Sequence, residues 1–318
     1  MKFSIKEEWE NGFRQYKLTD HSLETSVAIL PLHGASLHAW NLALPEGPIN
    51  IIDNYTDRQT LEDEFDRSYK SAKLSPFVCR IRDGKYEWRG RPHEFAKKFN
   101  DGSAIHGLLF NKEFTVVEYK ADDEGAQLVL QFEYDKDDPA YPFRYTCRVS
   151  YTLKAGNRLS VATTLENTGE GEIPIADGWH PYFSLGGTID DYQLRFSADH
   201  MLEFDTALLP TGRYVKNDSF TEGSLLGNRF LDNCFLVTPK ENEPVCAVTS
   251  QASGISLSFL TDSSYPYLQI FTPGHRKSIA IENLSSAPDC FNNKLGLVTL
   301  QPGEIKNFLV EYKVDIEN

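Results

Sequence analysis

The run Tyr145-Thr146-Cys147-Arg148-Val149-Ser150-Tyr151-Thr152-Leu153-Lys154, with Ala155-Gly156-Asn157 and then Leu159-Ser160-Val161-Ala162-Thr163-Thr164-Leu165 behind it, decides the fold. Tyr145, Cys147, Val149, Tyr151 and Leu153 take every second position, and Thr146, Arg148, Ser150, Thr152 and Lys154 fill the gaps. A period of two places the first set on one face of a strand and the second set on the other. Ala155-Gly156-Asn157 supplies a turn, so the two runs predict an antiparallel hairpin with one buried face. Cys147 falls on that face as a small core residue.

The alternation continues outward. Upstream, Leu128, Leu130, Phe132 and Tyr134 alternate with Val129, Gln131 and Glu133. Downstream, Ile255, Leu257 and Phe259 alternate with serines, and two closing strands flank Gln301-Pro302-Gly303-Glu304. Near the start, the apolar run 27–32 meets a turn at His33-Gly34-Ala35. His33 and His38 are five apart on a strand-like segment, which predicts opposite faces and a structural role for both. Residues 56–73 are charge-rich, carry the best helical pattern in the chain, and are expected to form a solvated surface insertion. Helical periodicity is otherwise scarce, and no repeat, low-complexity linker or break in composition divides the chain. The expected architecture is all-β, one large antiparallel β-sandwich domain over residues 1–318.

Composition narrows the function classes. At 318 residues the chain is long enough to bury a large core, and its 40% hydrophobic and 25% charged content is that of a soluble globular protein. A formal net charge of −14 argues against nucleic acid and against anionic membrane surfaces as partners. The cysteines are Cys79, Cys147, Cys234, Cys246 and Cys290. They are scattered, odd in number and lack zinc-ligand spacing, so free thiols in a reducing compartment are expected. The first residues have no apolar signal region and no stretch has the length of a membrane span, which points to a cytoplasmic protein.

Five polar side chains interrupt apolar segments. Arg80 lies in Pro76-Phe77-Val78-Cys79-Arg80-Ile81, where a charge is costly unless a carboxylate or polar ligand meets it. His106 lies in Ile105-His106-Gly107-Leu108-Leu109. His180 lies in Ala176-Asp177-Gly178-Trp179-His180-Pro181-Tyr182-Phe183, and the following proline pushes its backbone towards an extended conformation. Asp232 lies in Phe230-Leu231-Asp232-Asn233-Cys234-Phe235, and Glu282 ends the apolar strand Ser278-Ile279-Ala280-Ile281-Glu282. Each histidine taken alone fits two readings, an acid/base group in a cleft or a buried side chain beside a sheet.

Taken together the segments resemble the aldose 1-epimerase (galactose mutarotase) family. The matching pieces, in the family's order, are PFVCRIRDGKY, IHG, DGWHPYFSL, LDNCF, IAIENLSSAPDCFNN and the closing LQPGE. The resemblance implies a galactose mutarotase-like supersandwich whose concave face binds a monosaccharide. It implies Glu282 as general base and His180 as general acid, with Arg80, His106 and Asp232 binding and orienting the sugar. No metal or organic cofactor is implied, and the partner is a monosaccharide, with a monomer or homodimer as the assembly.

The chemistry suits those side chains. Exchanging α and β anomers removes a proton from the anomeric hydroxyl, protonates the ring oxygen, opens the ring and closes it after rotation about C1–C2. A carboxylate with an ordinary pKa of about 4.3 accepts the first proton, and an imidazole near about 6.5 donates the second. Arg80 offers a fork of donors to adjacent hydroxyls. Trp179, Tyr182 and Phe183 are candidates for stacking on sugar faces, with core packing expected for at least one. Two positions depart from the family pattern, Cys79 where asparagine is common and Leu108 where a second glycine is common, so the sugar stays open. Two alternatives stand beside the leading reading: a hexose-6-phosphate epimerase drawing on Arg80, Arg82, Arg89 and Arg91, and a non-catalytic sugar sensor on the same fold.

Overall fold

The alternating segments become the two large sheets of a β-sandwich in the computed structural model, which describes residues 1–317. A nine-stranded sheet runs, from edge to edge, through Thr115–Ala121, Gly125–Asp135, Arg144–Lys154, Arg158–Asn167, Ile305–Ile316, Ile255–Thr261, Cys246–Ser250, Tyr192–Phe196 and Ser224–Leu225. An eight-stranded sheet faces it. Its main path is Pro210–Lys216, His200–Phe204, Asp232–Leu236, Tyr267–Phe271, Ile279–Leu284, Gly178–His180 and Ala72–Leu74, with Tyr182–Phe183 also paired to Ile279–Leu284. The strands of both sheets pair antiparallel.

The hairpin expected at 145–165 forms in full register, from Tyr145 opposite Asn167 to Lys154 opposite Arg158. Its apolar set is buried as the period demands: Tyr145, Cys147, Val149, Tyr151 and Leu153 are all solvent-inaccessible or nearly so. The buried faces of the sheets meet through aromatic contacts, including Tyr151 on Trp179, Phe196 on Phe235, and Phe183 on Phe259 and Tyr312. These rings belong to one continuous buried cluster. Val129 is also buried, although its neighbours Leu128 and Leu130 face the sandwich interior. It stands on the outer face of the sheet, opposite Glu118 and Ser150. Strands Phe3–Glu10, Phe13–Asp20, Thr25–Leu30, Ser36–Leu42 and Ile49–Asn50 form a five-stranded layer that packs on the 115–135 end of the large sheet.

Two expectations need correction. His33 sits in the turn before Ser36–Leu42 rather than on the strand, so the strand argument does not apply to it. Both imidazoles instead pack on one ring, Phe13, with centroids 6.2 and 4.7 Å away. The charge-rich run 56–73 is a surface helix only in part. The helix Arg58–Ser68 is capped by the Asp57 carboxylate, which accepts from the Thr60 amide at 2.8 Å, and within it only Leu61 is buried. After Tyr69 closes it in a left-handed conformation the chain dives inward, and Ser71, Ala72, Lys73 and Leu74 are all buried.

Lys73 is fully buried because it meets Asp177, which is equally inaccessible, at 2.5 Å. Its ammonium also reaches Thr163 Oγ1 at 3.2 Å and lies 4.3 Å from the centre of the Trp179 ring. Tyr265 donates its hydroxyl to the other Asp177 oxygen at 2.7 Å. Burial pushes the Asp177 carboxyl upward, and the Lys73 charge and the Tyr265 hydroxyl pull it back. The pair ties the strand Ala72–Leu74 to the segment that leads into Gly178–His180.

Candidate functional site

Four adjacent strands of the eight-stranded sheet form the floor of a cleft of about 220 Å³. Asp232–Leu236 contributes Asp232, Tyr267–Phe271 contributes Gln269 and Phe271, Ile279–Leu284 contributes Glu282, and Gly178–His180 contributes His180. The ladder aligns them. Gln269 stands opposite Glu282, and Asp232 opposite Phe271. Alternation sends these side chains to the cleft while Ile270, Ile281 and Phe235 point into the core.

His180 reaches Glu282 through an interrupted ladder. Gly178 pairs with Leu284 and Tyr182 with Ala280, and carrying that register across Pro181 places His180 opposite Glu282. Pro181 has no N–H to give, and the pairing lapses between Gly178 and Tyr182 before it resumes. The His180 carbonyl is meanwhile held by the Ser71 amide at 2.9 Å. Gly178 is needed for close packing, since a Cβ there would come within 2.7 Å of Leu284 Cδ2. The result is a 3.4 Å separation between His180 Nε2 and Glu282 Oε1, with both side chains buried.

Loops build the walls. Arg80 begins a two-residue strand, Arg80–Ile81, that pairs with Ala104–Ile105. His106 follows in a left-handed conformation, φ 61°, with its amide on the Cys79 carbonyl at 2.7 Å. Gly107 continues the turn at φ 78°, and a Cβ there would lie 2.4 Å from the Ser75 carbonyl oxygen, so only glycine fits. The His106 ring stands edge-on to His180, centroids 4.9 Å apart, and tilts against Tyr69 at 4.7 Å.

The structure therefore gathers all five residues singled out from the sequence, Arg80, His106, His180, Asp232 and Glu282, around one cleft. Of the three aromatic candidates beside His180, Tyr182 alone lines it, stacked on His180 at 4.9 Å. Trp179 and Phe183 point into the core. Several cleft residues gave no signal in the sequence. Gln269, whose amide donates to Asp232 Oδ1 at 2.7 Å, sits in an apolar strand like any buried amide. Asp101, which accepts from Arg80 Nε at 2.9 Å, comes from a polar turn with nothing to distinguish it. Tyr69, Phe204 and Leu208 reach the cleft through packing alone.

Several buried polar atoms of the cleft, His106 Nδ1, His180 Nδ1, Glu282 Oε2 and Gln269 Oε1, have no hydrogen-bond partner among the described residues. Leaving such groups unpaired costs about 1–3 kcal/mol each. Burial also governs their protonation. It pushes Glu282 well above the usual carboxylate range, helped by the nearby Asp232 carboxylate and opposed by Arg80. It lowers His180 to about 4 and drives His106 well below the usual imidazole value, with His180 and Arg80 adding to the second effect. Asp232 is raised by burial, against Arg80 and the Gln269 amide. The Cys79 thiol, lining the cleft in a left-handed conformation, is raised well above its ordinary value by burial. Burial thus opposes both the cation and the anion of the His180–Glu282 pair and favours the neutral form, with a single proton on the carboxyl. Among the described residues no group of three or more His, Cys, Asp or Glu side chains is arranged to hold a metal ion, and no helix is long and apolar enough to cross a membrane.

Comparison with known proteins bears on this geometry. The family model for aldose 1-epimerase matches residues 14–313. The uncharacterised protein YihR of Escherichia coli is 25% identical over 247 residues, covering 76% of this chain and 78% of its own. Maltose epimerase of Levilactobacillus brevis is 23% identical over 268 residues, covering 78% and 76%. Among solved structures, a galactose mutarotase-like protein from Clostridium acetobutylicum superposes with a TM-score of 0.87 at 19% identity, over 99% of each chain. Galactose 1-epimerase from Lactobacillus acidophilus gives 0.82 at 21% identity, over 100% of each. At these identities the superpositions establish a shared galactose mutarotase-like fold.

Proposed function

The chain belongs to the aldose 1-epimerase family, and from that premise we propose that it interconverts the α and β anomers of a free hexose or a related monosaccharide. The observation that carries the reading is the 3.4 Å approach of His180 Nε2 to Glu282 Oε1 on the floor of a monosaccharide-sized cleft. An acid and a base so placed can act on two oxygens joined to the same carbon, which is the arrangement of O1 and O5 around C1.

With the shared proton on the imidazole, Glu282 takes the proton of the anomeric hydroxyl while His180 protonates the ring oxygen, and the C1–O5 bond breaks. The open-chain aldehyde then faces a protonated Glu282 and a neutral His180, the distribution that burial favours. After rotation about C1–C2, His180 removes the C5 hydroxyl proton, O5 attacks C1 and Glu282 returns its proton to O1. Proton count is conserved across the cycle, so one buried site serves both directions. Arg80, held in place by Asp101, offers its remaining N–H groups to sugar hydroxyls, and Asp232 and His106 supply further polar contacts.

The phosphosugar alternative has less support. Arg80 alone of the four arginines lines the cleft, and it already carries a carboxylate partner. Arg82 is paired with Asp205 and Arg89 with Glu172. The test is polarimetry of freshly dissolved α-D-glucose and α-D-galactose with wild type, His180→Gln and Glu282→Gln. The expected result is acceleration by wild type and a loss of about 10²–10⁴ in kcat/KM in each variant. Acceleration that survives in either variant removes that residue from the acid/base role. Sugar binding without acceleration in the wild type leaves a sensor.

A further inference from the structure

The outermost strand of a sheet presents a row of unpaired main-chain groups, and the three larger sheets of this protein treat their edges unequally. Ser224–Leu225 and Ile49–Asn50 are two residues long, and Ala72–Leu74 is buried. Pro210–Lys216 carries a proline and a glycine, and its charged residues, Arg213 and Lys216, share one sign. Phe3–Glu10 has its charges engaged within the chain, Lys6 with Glu8, Glu7 with Arg14 and Glu10 with Gln15. Thr115–Ala121 differs from all of these. It is largely exposed, contains neither proline nor glycine, and its Glu118 and Lys120 have no ionic partner among the described residues. We propose that this edge pairs with the same edge of a second copy of the chain, antiparallel about Tyr119, so that two nine-stranded sheets run on as one.

Register supplies the charge match. A two-fold axis at Tyr119 sets Glu118 of each copy opposite Lys120 of the other, and Val117 opposite Ala121. Glu118 and Lys120 lie two positions apart and so share a face, the outer one on which Glu118 stands opposite Val129. Two opposite-charge pairs form there. Moving the axis to Glu118 or to Lys120 instead sets like charges face to face, so one register is selected. The bulge between Val116 and Glu118 falls at the end of this segment and confines the ladder to 117–121.

The inner face adds a contact of another kind. Along it the edge borders a hollow of about 650 Å³ whose walls include Tyr16, Pro31, Leu32 and Phe114. Tyr119 stands at this hollow with 60% of its surface exposed and its ring 6.0 Å from that of Tyr16. Pairing about Tyr119 brings the two Tyr119 rings together on this face, and each hollow has room for the ring of the other copy. Phe3–Glu10 packs over this end of the sheet without pairing to the edge strand, so the main-chain groups stay open. A five-residue ladder and one ring on each side lie at the small end of specific interfaces, which predicts a reversible dimer.

Sedimentation velocity of the whole protein from about 1 to 200 µM tests the pairing. Wild type is expected to pass from monomer to dimer with a dissociation constant of about 1–100 µM, and to form nothing larger because pairing consumes the edge. Glu118→Lys and Lys120→Glu each set like charges together twice and should raise that constant at least about 10-fold. The double substitution restores the match and should restore the dimer, while circular dichroism reports that all three variants fold. A wild type that stays monomeric to about 200 µM overturns the proposal, as does assembly beyond a dimer. A dimer that survives the single reversals, or that the double substitution fails to restore, overturns it too. Thr115–Ala121 lines no part of the candidate cleft, so this result and the polarimetric one stand independently.

Discussion

Two buried polar pairs flank the same short strand, Gly178–His180, and they are built on opposite rules. Lys73–Asp177 lies between the sheets with its polar atoms engaged: the ammonium bonds Asp177 and Thr163, and the second carboxylate oxygen takes the Tyr265 hydroxyl. His180–Glu282 lies on the outer floor with His180 Nδ1 and Glu282 Oε2 unpaired. The first pair has its desolvation offset within the chain. The second is left short of partners, and a ligand rich in hydroxyls is what would supply them. Burial alone therefore does not distinguish these two pairs; completeness of hydrogen bonding does.

Breaking each pair should give opposite phenotypes. Lys73→Met strands a buried carboxylate and should cost about 3–5 kcal/mol in urea unfolding. Glu282→Gln removes an already under-partnered carboxylate and should leave the unfolding midpoint unchanged or slightly raised, despite the loss of activity. Equal destabilisation by the two substitutions would erase the distinction.

A smaller effect lies in the pH dependence of stability. The folded-state pKa of His180 is depressed from 6.5 to about 4, so its contribution is complete above pH 6.5 and is lost as pH falls towards 4. At about 1.4 kcal/mol per unit this amounts to at most about 3 kcal/mol. The folded-state pKa of Glu282 is raised well above 4.5, so its contribution is complete below pH 4.5 and is lost as pH rises from there through the raised folded-state value. In wild type the two slopes oppose each other. Relative to wild type, Glu282→Gln should be more acid-sensitive between pH 6.5 and 4, and His180→Gln should lose stability as pH rises from 4.5. Unfolding midpoints measured across that range check both signs.

The smallest change expected sharpens the description of the saturated pair. Tyr265→Phe removes one of the bonds to Asp177 and should cost about 1.5–3 kcal/mol, the range for a hydrogen bond to a charged group. It should leave mutarotation within about 2-fold, since Tyr265 is fully buried on Asp177 and does not line the cleft.

The sequence carried the periodic part of this architecture openly. Tyr145 to Leu165 could be placed on faces by counting in twos, and His180, Glu282 and Asp232 stood out because each breaks an apolar run. Lys73 did not, because it ends a run of charges that mostly face water, and its partner lies 104 residues away. His33 was misplaced because the boundary between turn and strand falls between it and His38. Gln269 and Asp101 acquire meaning only from register and from the loop that brings Arg80 over the sheet. Local periodicity is written in neighbours; pair completion is written in contacts between distant segments, and a single sequence does not display those.

The register that carries His180 past Pro181 to stand opposite Glu282 has a consequence for how such a protein can change. The spacing of the two proposed reacting groups is set by a ladder of main-chain bonds, whereas several groups of the cleft wall, among them Tyr69, His106 and Leu208, stand on turns and loops that the ladder does not constrain. Substitutions at Tyr69, His106 or Leu208 can reshape what is admitted while the distance between acid and base stays fixed. A one-residue insertion between Gly178 and His180 has the opposite result: it turns His180 towards the core and removes the proposed acid from the cleft. Diversification of substrate is thus mechanically uncoupled from the reaction, and selection can act on the rim without reopening the question of the floor.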